Sequence, residues 1–477
     1  PGSNYNAYAK NLTVKSTGNL DLTTTGNLTV TDFVKVDASG IFNIRDKASL
    51  IQINENNTNT GIINVEKTTS PFEKYDYTYW STPVTSTTIS TTFPTWRTDY
   101  AFEFKPSNFL DVYDSETGAA TPDGFDDDEN DWIYAATMTS GKGYIVMGPT
   151  TGTFPRSESV VFNGVVNNGI VNTKIFKTPG TPTDDDWNLV GNPYPSAISA
   201  TAFINANLSS IDATLYFWTH KQDISISNPG PDLLNFSSDD YAMYNLSGGI
   251  GTGSFIGTTE QSNKPLGNIA SCQSFFVESN VDNVDLIFNN EMRLGTTNTQ
   301  FYKTLPINIK DEERDRLWLN MENSDGIFSQ QLIGYFTNTT NDYDNGYDGL
   351  LNDGGNYVNF YSFINEDSYK IQGRETFNNN DQVRLGYFSA VAGSFNINID
   401  SKEGVFKDSK TNIYLEDKEL NIIHDLKKAP YVFNTEIGEF KDRFSLRYTD
   451  KTLGVKDVIY ENSIQVVFTR SNNVLNI

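Results

Sequence analysis

The chain has 477 residues, with 35 Lys and Arg against 60 Asp and Glu, a formal net charge of −25. That imbalance repels phosphate backbones and anionic membrane surfaces and excludes nucleic acid as a partner. An aromatic content of 13% and a single cysteine exclude an acidic disordered chain, a disulfide framework and a cysteine-based zinc site. No run approaches the roughly 18 apolar residues a membrane helix needs, so the chain is not expected to be an integral membrane protein. The start, PGSNYNAYAK, has neither the basic nor the apolar region of a signal peptide. The expectation is a fragment that begins after an export signal.

Residues 1–66 carry alternating apolar pairs at steps of about eight residues: Leu12/Val14, Leu20/Leu22, Leu28/Val30, Val34/Val36, Phe42/Ile44, Ile51/Ile53 and Ile63/Val65. Gly, Asn, Asp and Ser fill the gaps. The spacing predicts very short strands stacked as the rungs of a parallel β-solenoid. An antiparallel meander is the competing reading.

Aromatic strands with period two, broken by Gly, Pro, Asn and Asp clusters, occupy residues 67–296, as in SVVFNGVV (159–166), TLYFW (214–218) and SFFV (274–277). They predict a large β-sandwich or jelly-roll module. A short helix is expected over residues 197–206. After the polar TTNTQ, strands such as RLWLNM (316–321) and RFSLRY (443–448) predict an Ig-like β-sandwich over 297–450. Residues 451–477 read as a linker and the start of another domain. The fold class is therefore all-β, a short solenoid followed by two sandwiches.

Catalytic signals are missing. The two histidines, His220 and His424, have no metal-type companions, and HExxH, GxSxG, P-loop and GxGxxG motifs do not occur. The glycine-rich GGIGTGSFIG (248–257) lacks a fingerprint spacing and reads as a flexible hairpin loop. Paired carboxylates of a glycosidase need no local motif, but 60 acidic residues in turn-like contexts read as solvated surface, and the chain is expected to be a non-enzyme. No cofactor is implied apart from calcium. Oxygen ligands that suit it are offered by Asp126, Asp128 and Asn130, and by Asp342, Asp344 and Asp348 around Gly346. Neither set completes an EF-hand, and Asx turns explain the same residues. Trp96 and Trp132, in polar surroundings, are the candidates for stacking on a surface glycan.

Long runs in the second and third regions resemble the C-terminal parts of large Bacteroidota surface proteins exported by the type IX secretion system. The resemblance rests on YWSTPV (79–84), PTTGTFP (149–155), WNLVGNPYPSAI (187–198), DYAMYNLSGG (240–249) and FNNEMR (288–293) in the second region. In the third it rests on SDGIFSQQLIGY (324–335), YDNGYDG (343–349), VRLGYFSAVAGSF (383–395), IYLEDKELNIIHDLKKAPYVF (413–433) and RFSLRYTDKTLG (443–454). In such proteins a type C sorting domain follows, and SIQVVFTRSNNVLNI (463–477) resembles its truncated start. The resemblance implies a cell-surface or extracellular location and, as partner, the outer-membrane translocon and sorting machinery. The resemblance implies no activity, since such stalk and sorting-adjacent parts occur in adhesins and secreted enzymes alike; the expected function is a non-enzymatic stalk and sorting-adjacent region of an adhesin. The alternative is a carbohydrate- or calcium-dependent binding module of a lectin or polysaccharide-degrading enzyme. Cys272 stands where relatives tend to have a small residue such as Gly, which implies a packed strand and not a reactive thiol.

Overall fold

The computed structural model describes residues 5–23, 25–109, 130–177, 186–219, 221, 224–225, 228, 235–253, 264–295, 298, 314–351 and 356–450, with the backbone of 467–469 and 474–476. The fold is all-β, with short helices at Ile89–Thr92 and Ala200–Asn207 and a few single turns of 3₁₀ helix. Among the described residues no helix is long and apolar enough to cross a membrane.

The N-terminal strands pair in parallel, as the repeat predicts. Asn6–Ala9 pairs with Asn27–Val30, which pairs with Ser49–Gln52; Leu12–Val14 pairs with Val34–Val36; and Asn19–Leu22 pairs with Ile41–Ile44, which pairs with Ile63–Thr68. Bonded side chains on successive rungs lie 21 or 22 residues apart. The eight-residue step therefore advances the chain by one side of a three-sided coil, and three steps make one rung. Most sides send the expected alternating pair inward because successive side chains of a strand point to opposite faces, but the expected pair Ile51/Ile53 is out of register: Leu50 and Gln52 point in and Ile53 is exposed. Val14, Leu22, Val30, Val36, Phe42, Ile44, Leu50 and Val65 fill the interior. Outside, Asn43 Nδ2 donates to Asp21 Oδ1 at 2.9 Å and Asn64 Nδ2 donates to Asn43 Oδ1 at 2.8 Å.

That ladder does not stop with the solenoid. Ser159–Gly164 adds antiparallel to Ile63–Thr68, and Asn163 Nδ2 donates to Asn64 Oδ1 at 2.7 Å. The solenoid interior likewise runs into Trp80, Phe93, Trp96 and Phe162 without a break. Trp80 is fully buried, with ring centroids 5.2 Å from Phe93 and 5.9 Å from both Trp96 and Phe162.

The middle region has a four-stranded sheet (Trp132–Tyr134, Arg97–Phe104, Tyr144–Met147, Tyr77–Trp80) and a five-stranded one (Trp187–Gly191, Ser274–Ser279, Ile211–Trp218, Tyr241–Asn245, Gly248–Ile250), bridged at Trp80–Gln273 and Lys142–Val190. Aromatic rings of the two sheets meet: Tyr79 stacks on Trp218 at 5.6 Å, and Phe276 meets Phe104, Trp132 and Trp187 edge-on. The other face of the five-stranded sheet is covered by the helix Ala200–Asn207, whose Phe203 and Ile204 are fully buried. Ser199 caps it, its Oγ accepting from Ala202 N at 3.1 Å, so the expected helix starts three residues later than its apolar pattern. Cys272 lies in a turn with φ +67°, not in a strand. Glycine is favoured in that backbone region.

The C-terminal region is one continuous sheet of eleven strands curled into a nearly closed sandwich. All its pairs are antiparallel except Phe328–Tyr335 with Asp367–Arg374. Strand Asp315–Glu322 shows how it is mounted. Leu317, Leu319 and Met321 point into the sandwich core, while Trp318, on the opposite face, points into a separate cluster with Leu189, Tyr216, Met243, Ile250 and Phe276 of the middle region. Both faces of this strand are therefore inside protein. Most of residues 451–477, the expected start of a sorting domain, lie outside the described residues; Val467–Thr469 and Val474–Asn476 pair as a hairpin.

Candidate functional site: the junction of the two sandwiches

The calcium and glycan candidates reach very different surroundings. Asp126 and Asp128 lie outside the described residues, as does His220. Asn130 is exposed, and its carbonyl accepts from Asn108 Nδ2 at 3.1 Å. Trp96 is an interior residue, 7% exposed and packed on Phe72, Trp80 and Phe93, which removes it from any surface platform. Its adjacent polar residues hid this, because besides nearby Phe93 the rings that bury it, Phe72 and Trp80, come from earlier in the chain. Trp132 is half-buried, edge-on to Phe104 at 5.2 Å.

The second acidic set does not gather around a cation. Asp344 Oδ2 accepts from Thr340 N and Oγ1 at 2.6 and 3.0 Å. Asp348 accepts from Asp344 N at 2.7 Å and from Gly373 N at 2.8 Å. Asp342 is exposed, and among the described residues no three His, Cys, Asp or Glu side chains converge. Carboxylate oxygens turned onto N–H donors tie up a tight turn, with Gly346 at φ +91°.

What this turn does is fasten the sandwiches together. Asn345 Oδ1 accepts from Ala213 N at 3.0 Å, and its Nδ2 donates to the Leu208 and Ile211 carbonyls at 3.1 and 3.2 Å. Leu246 N donates to Gly346 O at 2.7 Å, Ser247 Oγ to Tyr347 O at 2.6 Å, and Tyr343 OH to Asp212 Oδ2 at 2.8 Å. The loop belongs to the C-terminal region, and every one of these partners belongs to the middle one.

The glycine run completes the junction. Gly248–Ile250 is a buried strand, so the expected flexible hairpin is corrected over the described residues 248–253. Trp318 Nε1 donates to Gly249 O at 2.8 Å, Arg316 Nη1 to Ser247 O at 3.0 Å, and Gly251 N to Gln330 Oε1 at 3.0 Å. A side chain on Gly249 would stand 2.2 Å from the Pro265 carbonyl, and one on Gly253 would stand 2.8 Å from the Phe328 ring. Absent side chains let two backbones approach, which in sequence looks the same as a mobile loop.

Beside this strand lies a cavity of about 40 Å³ lined from both regions, by Tyr216, Asp239, Tyr241 and Thr252 on one side and Ser329, Gln330, Asn359 and Lys370 on the other. It has room for a few water molecules and not for a substrate. Lys370 Nζ donates to Ser329 Oγ, and Asp239 Oδ2 accepts from Tyr357 N at 2.8 Å. Burial pushes the Lys370 ammonium down to about 8 and raises the Asp239 carboxyl. Lys221 Nζ, also buried, sits 5.1 Å from the Phe328 ring. Single lysines and aspartates have no periodicity, so nothing in the sequence separates these from surface charges.

Burial also raises Asp348, from the 3.8 of an ordinary aspartate to about 7. A carboxyl raised on folding stabilises fully below its unfolded value, and that contribution is lost as pH climbs through the folded one. The urea midpoint is therefore expected to fall between about pH 4 and pH 7, with Asp348→Asn giving a shallower slope over that window.

The sequence matches, over residues 1–448, the family described as Domain of unknown function (DUF8693). No curated protein and no solved structure matches it. A match that spans the solenoid, both sandwiches and the junction between them makes this chain a member of the DUF8693 family.

Proposed function

We propose that the chain is a non-enzymatic, stiff stalk segment of a secreted bacterial surface protein, an adhesin, delivered by the type IX secretion system. The observation that carries this reading is that described residues on the two sides of each join share buried apolar clusters. The solenoid interior continues into the middle sandwich, and the middle and C-terminal sandwiches share a buried apolar cluster braced by the 340–349 turn. Such joins hold successive units at fixed angles, which suits a spacer more than an enzyme that must open and close. The surface location rests on the long motif runs of the second and third regions. Antibodies against this chain should label intact cells of the source bacterium and lose that label when type IX export is disabled. Retention of the protein in the cytoplasm of wild-type cells would overturn the reading.

A second reading, contact with a glycan, is favoured by one observation. Trp132 and Tyr134 share a strand face, and Tyr134 is 62% exposed. On this reading Trp132→Ala and Tyr134→Ala each abolish binding on a glycan array, whereas absence of binding by the unaltered chain, with or without calcium, rejects it.

A further inference from the structure

Lys67 lies at the seam between the solenoid and the middle sandwich, 2% exposed. Its Nζ is 3.0 Å from Oδ1 and 3.4 Å from the backbone carbonyl of Asn298, a residue 231 positions later and itself 3% exposed. Among the described residues it forms no ion pair. The charged and titratable groups that act on it are Asp46, Lys47 and the Cys272 thiol, which burial holds protonated, up to about 12. A buried ammonium without a carboxylate against it sheds its proton readily, and burial lowers the Lys67 value accordingly. The neutral amine that results is a nucleophile.

The carboxamide opposite is held in place. Asn298 Oδ1 also accepts from Ser271 N at 2.9 Å, and its Nδ2 donates to Ala48 O at 2.5 Å. The carbonyl is thus polarised by a backbone N–H, and the whole group is fixed at both ends. A C=O bond of about 1.23 Å puts Cγ within about 4.2 Å of Nζ.

We propose that Lys67 and Asn298 are the two halves of an intramolecular isopeptide bond. The Nζ lone pair attacks Cγ, and the carbonyl electrons move onto Oδ1, where the Ser271 N–H stabilises them. When they return, the Cγ–Nδ2 bond breaks. The proton lost from Nζ leaves on Nδ2, so ammonia is released and an Nζ–Cγ amide remains. Nothing is oxidised or reduced, and no co-reactant is consumed. Asp46, whose Oδ1 accepts from Thr68 N at 3.2 Å, is the carboxylate whose charge acts on Lys67. The bond would tie the last solenoid strand, Ile63–Thr68, to a point beyond the whole middle sandwich, so that tension on the solenoid bypasses the hydrogen bonds of the seam. It stands on the Lys67 site alone, independent of the surface location.

The test is the intact mass of the purified chain in denaturant, followed by peptide sequencing. The expected mass is lower than that of the sequence by one ammonia, with a branched peptide joining Lys67 to Asn298. Lys67→Arg should restore the sequence mass, and because the reading is taken on unfolded protein it does not depend on how well the variant folds. A mass equal to that of the sequence overturns the proposal. So does loss of ammonia with linear peptides only, which marks a cyclic imide formed within one asparagine.

Discussion

Trp318→Ala is expected to separate the two sandwiches while leaving each folded. The indole is 3% exposed, gives its N–H to Gly249 O at 2.8 Å, and lies 4.0 Å below the Lys264 ammonium and 5.1 Å from the Arg316 guanidinium. Removing a buried tryptophan costs about 3–5 kcal/mol. The unpaired Gly249 carbonyl adds about 1–3 kcal/mol more where water does not reach it. Nearly all of that loss falls on the junction, because Trp318 points away from the core its own strand closes. Urea unfolding should therefore change from one transition to two, with the first reporting exposure of Tyr216, Met243 and Ile250. A single transition displaced to lower urea would mean that Trp318 stabilises the sandwich itself.

At the other join, Trp80→Ala should lower stability by about 3–5 kcal/mol. Trp80 is fully buried against Phe93, Trp96 and Phe162, and those rings belong to the same core as Phe42 and Val65 of the solenoid. The damage should spread into the parallel strands, because a solenoid rung is stabilised mainly by its neighbours. Backbone amides of Ile41–Ile44 should lose hydrogen-exchange protection in this variant, while those of Gln382–Ser389 in the distant sandwich keep theirs.

Much of the fold was legible because its signals are local. The inward pairs Leu12/Val14 and Phe42/Ile44 announce short strands, and their recurrence at mostly about eight residues announces stacking. What the spacing could not reveal is that three steps make a rung, since that depends on which strands pair, and pairing first appears in contacts such as Asn6 with Asn27. The sandwiches follow from period-two aromatics for the same reason. The candidate site was much less legible. Asp344 and Asp348 carry ligand-type oxygens, but N–H groups supplied by Thr340, Asp344 and Gly373 consume them. Trp96 is flanked by Thr95 and Arg97 in sequence, and of the rings that bury it Phe72 and Trp80 lie far from it in the chain. The junction itself is written in residues whose meaning is long-range: glycines that yield space, one asparagine bonded across 132 positions, and a tryptophan on the outer face of a strand.

The proposed stiff stalk rests on the buried clusters that span both joins, and hydrogen exchange measured across a urea series tests it most directly. Peptides from the solenoid strand Ile41–Ile44, the middle strand Ser274–Ser279 and the C-terminal strand Gln382–Ser389 should lose protection at the same urea concentration. Loss in separate steps, with any one region opening while the other two remain closed, would contradict the account.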